Sequence, residues 1–157
     1  MMEWLLWLEQ SPVATWVRES GSIWSYPTIL TMHTLGLGVL VGANAVVDIR
    51  VLGFASQFPL SSLRSLSPAM SAGLALNAVT GALLFAADAS TKGMQPVFFV
   101  KLGCIAVALV AMYRVMRMVR RASGEGALAG TGARGWAVLS LTFWIAAITA
   151  GRLMAYL

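Results

Sequence analysis

The sequence holds one histidine, His33, and it lies well inside a long apolar stretch. If that stretch is helical, about nine residues separate His33 from Trp24, roughly 14 Å of helical rise. An ionisable side chain at such depth in a bilayer is expensive, which makes it a site candidate by default. A neutral imidazole is a good ligand for haem iron. Helical spacing places Tyr26, His33, Gly36, Leu40 and Asn44 on one face, and a stripe of polar and small residues should face a bundle interior. Gly36 shares that face, where a porphyrin would need a small residue beside it. Gly38 and Gly42 have the small-xxx-small spacing of close helix packing.

Two cations belong to the same half of the membrane. Lys101 sits about one turn inside the start of the third apolar stretch, and Arg152 about one turn inside the end of the fourth. Asp88 ends the second stretch at the same boundary and shares a face with Asn77. One reading is a haem b site in which His33 is the axial ligand and Lys101 and Arg152 neutralise the propionates, with Tyr26 and Gly36 lining it. Another is a non-enzymatic accessory subunit: Lys101 and Arg152 snorkel to headgroups, Asp88 pairs with one of them, and His33 hydrogen-bonds a neighbouring helix. A third, copper or small-ion passage, uses His33 with Met32 or other methionines, although one histidine is a poor metal site by itself. With a single histidine, no intrachain bis-histidine haem can form. Met94 and Met154 are the methionines best placed for a second axial position, and a five-coordinate iron or a ligand from another subunit are the alternatives. The lone Cys104 can form neither an intrachain disulfide nor a thiolate metal motif and reads as packing.

The elements that must carry these residues follow from composition. Of the 157 residues 59% are hydrophobic and only 11% charged, with mean hydropathy +0.78, too little polar surface for a soluble globule. Apolar runs of about twenty residues match a hydrocarbon core roughly 30 Å thick, and unpaired backbone is not tolerated there, so the expected fold is an all-α integral membrane four-helix bundle. The spans are predicted at 22–50, 68–88, 96–121 and 135–156. An interfacial amphipathic segment, 1–21, precedes the transmembrane domain, 22–157. In it Ser11-Pro12 reads as a helix N-cap followed by a first-turn proline, and Trp4, Trp7, Trp16 and Trp24 suit the headgroup depth. Glu3, Glu9 and Glu19 and the lack of a basic leader argue against a cleaved signal. Residues 55–67, with Pro59 and five serines, connect the first two spans. The segment 123–135 reads as a flexible glycine-rich loop.

Charge sets the expected orientation. Arg114, Arg117, Arg120 and Arg121 form the strongest basic cluster, which the positive-inside rule assigns to the cytoplasm. Four crossings then leave both termini outside, in the inner membrane of a bacterium. This accounts for the formal charge of +5 without a nucleic acid partner. The small-residue faces suit a homo-oligomer or a place in a larger membrane complex.

Three fragments carry a resemblance. Tyr26-Pro27, His33-Thr34-Leu35-Gly36 and Asp48-Ile49-Arg50 resemble the first-span pattern of an uncharacterised family of small bacterial four-helix membrane proteins. More distantly, His33 followed by glycines, with Lys101 in Phe99-Val100-Lys101-Leu102, is similar to copper-resistance D-type membrane domains and to haem-containing bacterial protoporphyrinogen oxidases. That resemblance implies a b-type haem and no more; electron transfer or redox sensing is the role expected if the haem site read from His33 is present. The oxidases carry a further histidine where this chain has Tyr113 and Arg114, so the resemblance does not extend to porphyrinogen oxidation.

Overall fold

In the computed structural model, residues 2–54, 57–122, 132–154 and 156 are described. Regular structure among them is entirely helical. Helices α1 (Met2–Glu9) and α2 (Pro12–Glu19) form the N-terminal segment, followed by α3 (Tyr26–Leu52), α4 (Leu60–Arg64), α5 (Ser67–Ala86), α6 (Ala89–Lys92), α7 (Pro96–Arg121) and α8 (Ala133–Leu153). Helices α3, α5, α7 and α8 are long and apolar enough to cross a membrane, the hallmark of an all-α membrane protein with a four-helix apolar bundle.

Local sequence explains most of the boundaries. Ser11 caps α2 as expected, its side chain accepting from the Ala14 amide at 3.3 Å, with Pro12 in the first turn. Prolines in the first turns of α3, α5 and α7 supply a fixed φ where the helix needs no amide donor. Helix α3 ends on Gly53 at φ +101°, whose amide bonds Arg50 while the Phe54 amide bonds Ile49, a Schellman pair that only glycine forms without strain. The first span starts at Tyr26 rather than 22. Ser25 donates to the Ser22 carbonyl at 2.6 Å and Ser22 Oγ accepts the Trp24 amide, holding a turn ahead of Pro27. The connector 55–67 contains the short α4, and the loop 88–95 contains α6. The glycine-rich segment expected over 123–135 lies outside the described residues from 123 to 131.

The four long helices pack as two pairs, α3 with α5 and α7 with α8, joined chiefly through α3 and α8. Small residues line the second pair: Ala108 and Ala111 of α7 and Ala137, Ala147 and Ala150 of α8 are all buried. In the first pair, Gly36 and Gly73 let the two backbones touch. A Cβ on Gly73 would stand 2.8 Å from the Leu40 amide nitrogen and 2.9 Å from the Gly36 carbonyl. Gly38 and Gly42, by contrast, have none of the described residues within 4 Å of an added Cβ, so the small-residue crossing expected there is made on another face of α3, by Gly36. At one end of the bundle, here the arginine end, Arg64 donates to the Ala122 carbonyl at 2.7 Å and Arg114 lies 5.5 Å over the Trp136 ring.

At the opposite end, here the tryptophan end, the N-terminal helices are strapped across the bundle. Leu5 of α1 is buried against Gly93, and Ala14 and Val17 of α2 are buried on the bundle side, with Val17 in a cluster with Ile29, Leu84 and Ala87. Glu9 accepts the Ser90 amide at 2.9 Å and pairs with Arg18 at 3.2 Å. Hydrogen bonding from Ser90 holds the Glu9 carboxyl below its usual range, with Arg18 adding to the effect. Trp4, Trp7, Trp16 and Trp24 all point away from the protein. That division, aliphatic inward and indole outward, is what an amphipathic segment at a headgroup boundary needs.

Candidate functional site

His33 lies on α3 where α5 crosses it. Asn77 of α5 donates to the His33 carbonyl at 2.9 Å, and Thr80 Oγ1 lies 3.1 Å from His33 Nδ1. The threonine hydroxyl has a single hydrogen, and its shortest contact is with the Leu76 carbonyl at 2.6 Å, the i−4 bond common for threonine in apolar helices. With that hydrogen committed, Thr80 receives the Nδ1–H of the imidazole. The other ring nitrogen, Nε2, is then the unprotonated one, and no partner among the described residues occupies it. Gly81 makes this geometry feasible, since a Cβ there would stand 3.1 Å from His33 Cε1.

The cations come from the other helix pair and from the loop. Lys101 of α7 lies along Gly151 of α8, its Nζ 3.6 Å from where a Cβ on that glycine would be, so the glycine provides the trough for the lysine stem. Among the described residues no carboxylate or carbonyl partners Lys101. Lys101 and Lys92 are both close enough to act on His33 electrostatically. Lys92 is engaged elsewhere, donating to the Leu84 carbonyl at 3.2 Å and pairing with Asp88 at 3.7 Å. Asp88 thus pairs with the lysine four residues on, not with Lys101 or Arg152, because α6 folds back over the end of α5.

Several expected members are placed differently. Tyr26 is 42% exposed in the first turn of α3, beside the exposed Ile23 and Trp24, and not on the interior stripe with Leu40 and Asn44. It lies ahead of the crossing that buries the rest of that face. Gly36 is buried, but the space beside it is filled by α5: a Cβ would meet the Asn77 amide at 3.1 Å and the Gly73 carbonyl at 3.2 Å. No flat ligand fits between, so Gly36 serves the crossing. Arg152 is exposed in the last turn of α8, and Met94 is exposed in the loop. Met32 is exposed on α3, and among the described residues no group of three or more His, Cys, Asp or Glu side chains could hold a metal ion.

No protein family, curated protein or solved structure matches this chain.

Sequence reasoning missed Thr80, which orients the one histidine. Its signal was its place three residues after Asn77, on the same face of α5. It also missed a second polar group toward the arginine end. Asn44 Nδ2 donates to Asp48 Oδ2 at 2.6 Å and to Ser140 Oγ of α8 at 2.8 Å, and all three residues are fully buried. In the sequence Asp48 stands out only as part of the Asp48-Ile49-Arg50 fragment near the end of the first span.

Proposed function

We propose that this chain is a b-type haem-binding protein of the bacterial inner membrane, serving electron transfer or redox sensing, with His33 as the axial ligand. The observation that carries the reading is the orientation of the imidazole: Thr80 takes Nδ1–H and leaves Nε2 as a lone pair with no partner among the described residues, and Lys101, likewise without a carboxylate or carbonyl partner among them, is close enough to act on the ring. A hydrogen bond to the far ring nitrogen is the usual way a protein fixes the tautomer and direction of a metal-ligating histidine. Lys101 is the cation suited to one haem carboxylate, and the exposed Arg152 is suited to the other. Haem supplies the redox couple; the chain supplies the ligand, the charge compensation and an apolar surround.

Positive-inside bias supports a cytoplasmic arginine end and an outer tryptophan end. In a Cys104→Ala background, Ser62→Cys should be labelled only from the cytoplasmic side and Ser22→Cys only from the outer side.

A second reading is favoured by the same hydrogen bonds: Asn77 and Thr80 tie α3 to α5 through His33, as a structural network in an accessory subunit would. Expression with ample haem separates the two. A Soret band in the purified protein supports the haem reading, and a colourless protein that copurifies with a larger complex supports the accessory reading.

A further inference from the structure

The two helix pairs meet along α3 and α8, and no comparable packing closes the bundle between α5 and α7. A cavity of about 170 Å³ lies there. Its lining is graded along the membrane normal. Ser67 in the first turn of α5 and Arg120 in the last turn of α7 stand at the arginine end, whereas Leu74 and Met112 lie roughly 10 and 12 Å deeper by helical rise. Met70 and Met116 in between are buried. The polar groups of the lining are unused: among the described residues the side chains of Ser67, Ser71 and Arg120 make no hydrogen bond or ion pair, while Arg64 and Arg114 are engaged with the Ala122 carbonyl and the Trp136 ring. Helices α4, α5 and α7 contain no acidic residue, so nothing on them balances Arg120 and its neighbours Arg117 and Arg121.

We propose that this cavity binds an acidic phospholipid of the phosphatidylglycerol type, with the phosphate on Arg120 and Ser67 and the upper part of one acyl chain against Leu74 and Met112. The order of the lining, cation and hydroxyl at the boundary and thioether and leucine toward the midplane, is the order of groups in a lipid, whereas a free phosphate would use only one end. A guanidinium offers a phosphate two parallel N–H donors, and basic pockets between spanning helices are where acidic headgroups bind. Ser71, one turn in from Ser67, stands at the depth of the ester carbonyls. Methionine side chains adapt to a flexible chain. A zwitterionic headgroup would bring its ammonium against three arginines with no carboxylate to meet it, so the acidic class is favoured. The volume is too small for a whole lipid, and the rest of the molecule lies in the bilayer. The proposal stands apart from haem binding and needs only a membrane around the four spans.

Native mass spectrometry of the full chain, exchanged into micelles containing equal amounts of dioleoyl phosphatidylglycerol and dioleoyl phosphatidylcholine, tests the site. Phosphatidylglycerol should stay bound in preference to phosphatidylcholine. Arg120→Gln should weaken that retention about tenfold, the equivalent of one lost charge-assisted contact. Arg117→Gln makes the same change of charge outside the cavity lining and should leave retention unaltered. Met112→Trp, which fills the apolar end, should release the lipid too, and it keeps the site testable if Arg120→Gln does not fold. Equal retention of the two lipids overturns the proposal, as does retention that survives in Met112→Trp. Equal weakening by Arg117→Gln would mark a diffuse cationic surface, and displacement of the lipid by excess inorganic phosphate would mark a phosphate site; either result also overturns it.

Discussion

Replacing Gly73 with alanine is the most exacting perturbation of the α3–α5 crossing. The new methyl would lie 2.8 Å from the Leu40 amide nitrogen and 2.9 Å from the Gly36 carbonyl, about 0.6 Å short of ordinary contact at 3.4 Å. All of these neighbours are backbone atoms, so no side chain can rotate aside and the helices must separate. A shift of that size takes the 3.1 Å His33–Thr80 contact beyond hydrogen-bond reach. Gly38→Ala is the matched control: nothing lies within 4 Å of the position, while the gain in helix propensity is the same. The difference between the two variants therefore isolates overpacking, about 1–3 kcal/mol. In thermal unfolding of the detergent-purified protein followed by circular dichroism, Gly73→Ala should melt about 2–10 °C below Gly38→Ala. Equal midpoints would refute the crossing and, with it, the positioning of His33 by α5.

Three further outcomes follow from the same geometry. Thr80→Val keeps the side-chain shape but removes the acceptor for His33 Nδ1–H; haem retention under detergent washing should fall about 10–100-fold, with little change in unfolding, and unchanged retention would count against the tautomer assignment. Glu9→Gln should release the N-terminal helices, read as faster amide hydrogen exchange over residues 2–19 and unaltered exchange in α7. Because the native Glu9 carboxyl titrates below its usual 4.5, the docking it provides is fully present above that pH and is lost as pH falls through the lowered native value, so wild type should reproduce the Glu9→Gln exchange only in acid.

The architecture was legible because its causes are local. Apolar length, first-turn prolines, the Ser11 cap and the arginine cluster at the end of the third span each act within a few residues, and the boundaries moved only where side chains intervened, as at Ser22–Ser25. Pairings between helices were not legible. The stripe drawn through Tyr26 and His33 assumed one buried face along the whole of α3, but α5 covers that helix only from the crossing inward, so Tyr26 is left out and Gly36 is consumed by packing. Gly73 and Gly81, the glycines that seat the backbone and the imidazole, carry no mark in the sequence that separates them from Gly38. The burial of Asp48 was not legible for a related reason. Charged residues commonly end a span, and the partner that shows Asp48 to be internal, Ser140, is joined to it through Asn44 across 96 residues of chain. The i,i+4 spacing of Asn44 and Asp48 was the one local hint.

The central claim is that His33 holds iron through Nε2. Haem content per chain, measured with the visible spectrum on wild type and His33→Ala expressed with ample haem, tests it most directly. The account predicts about one haem per wild-type chain with a Soret band, loss of that band in His33→Ala with membrane insertion intact, and partial retention in Lys101→Gln, where Arg152 or water can still meet a propionate. A colourless wild type, or a His33→Ala variant that keeps the wild-type haem content and spectrum, would contradict it.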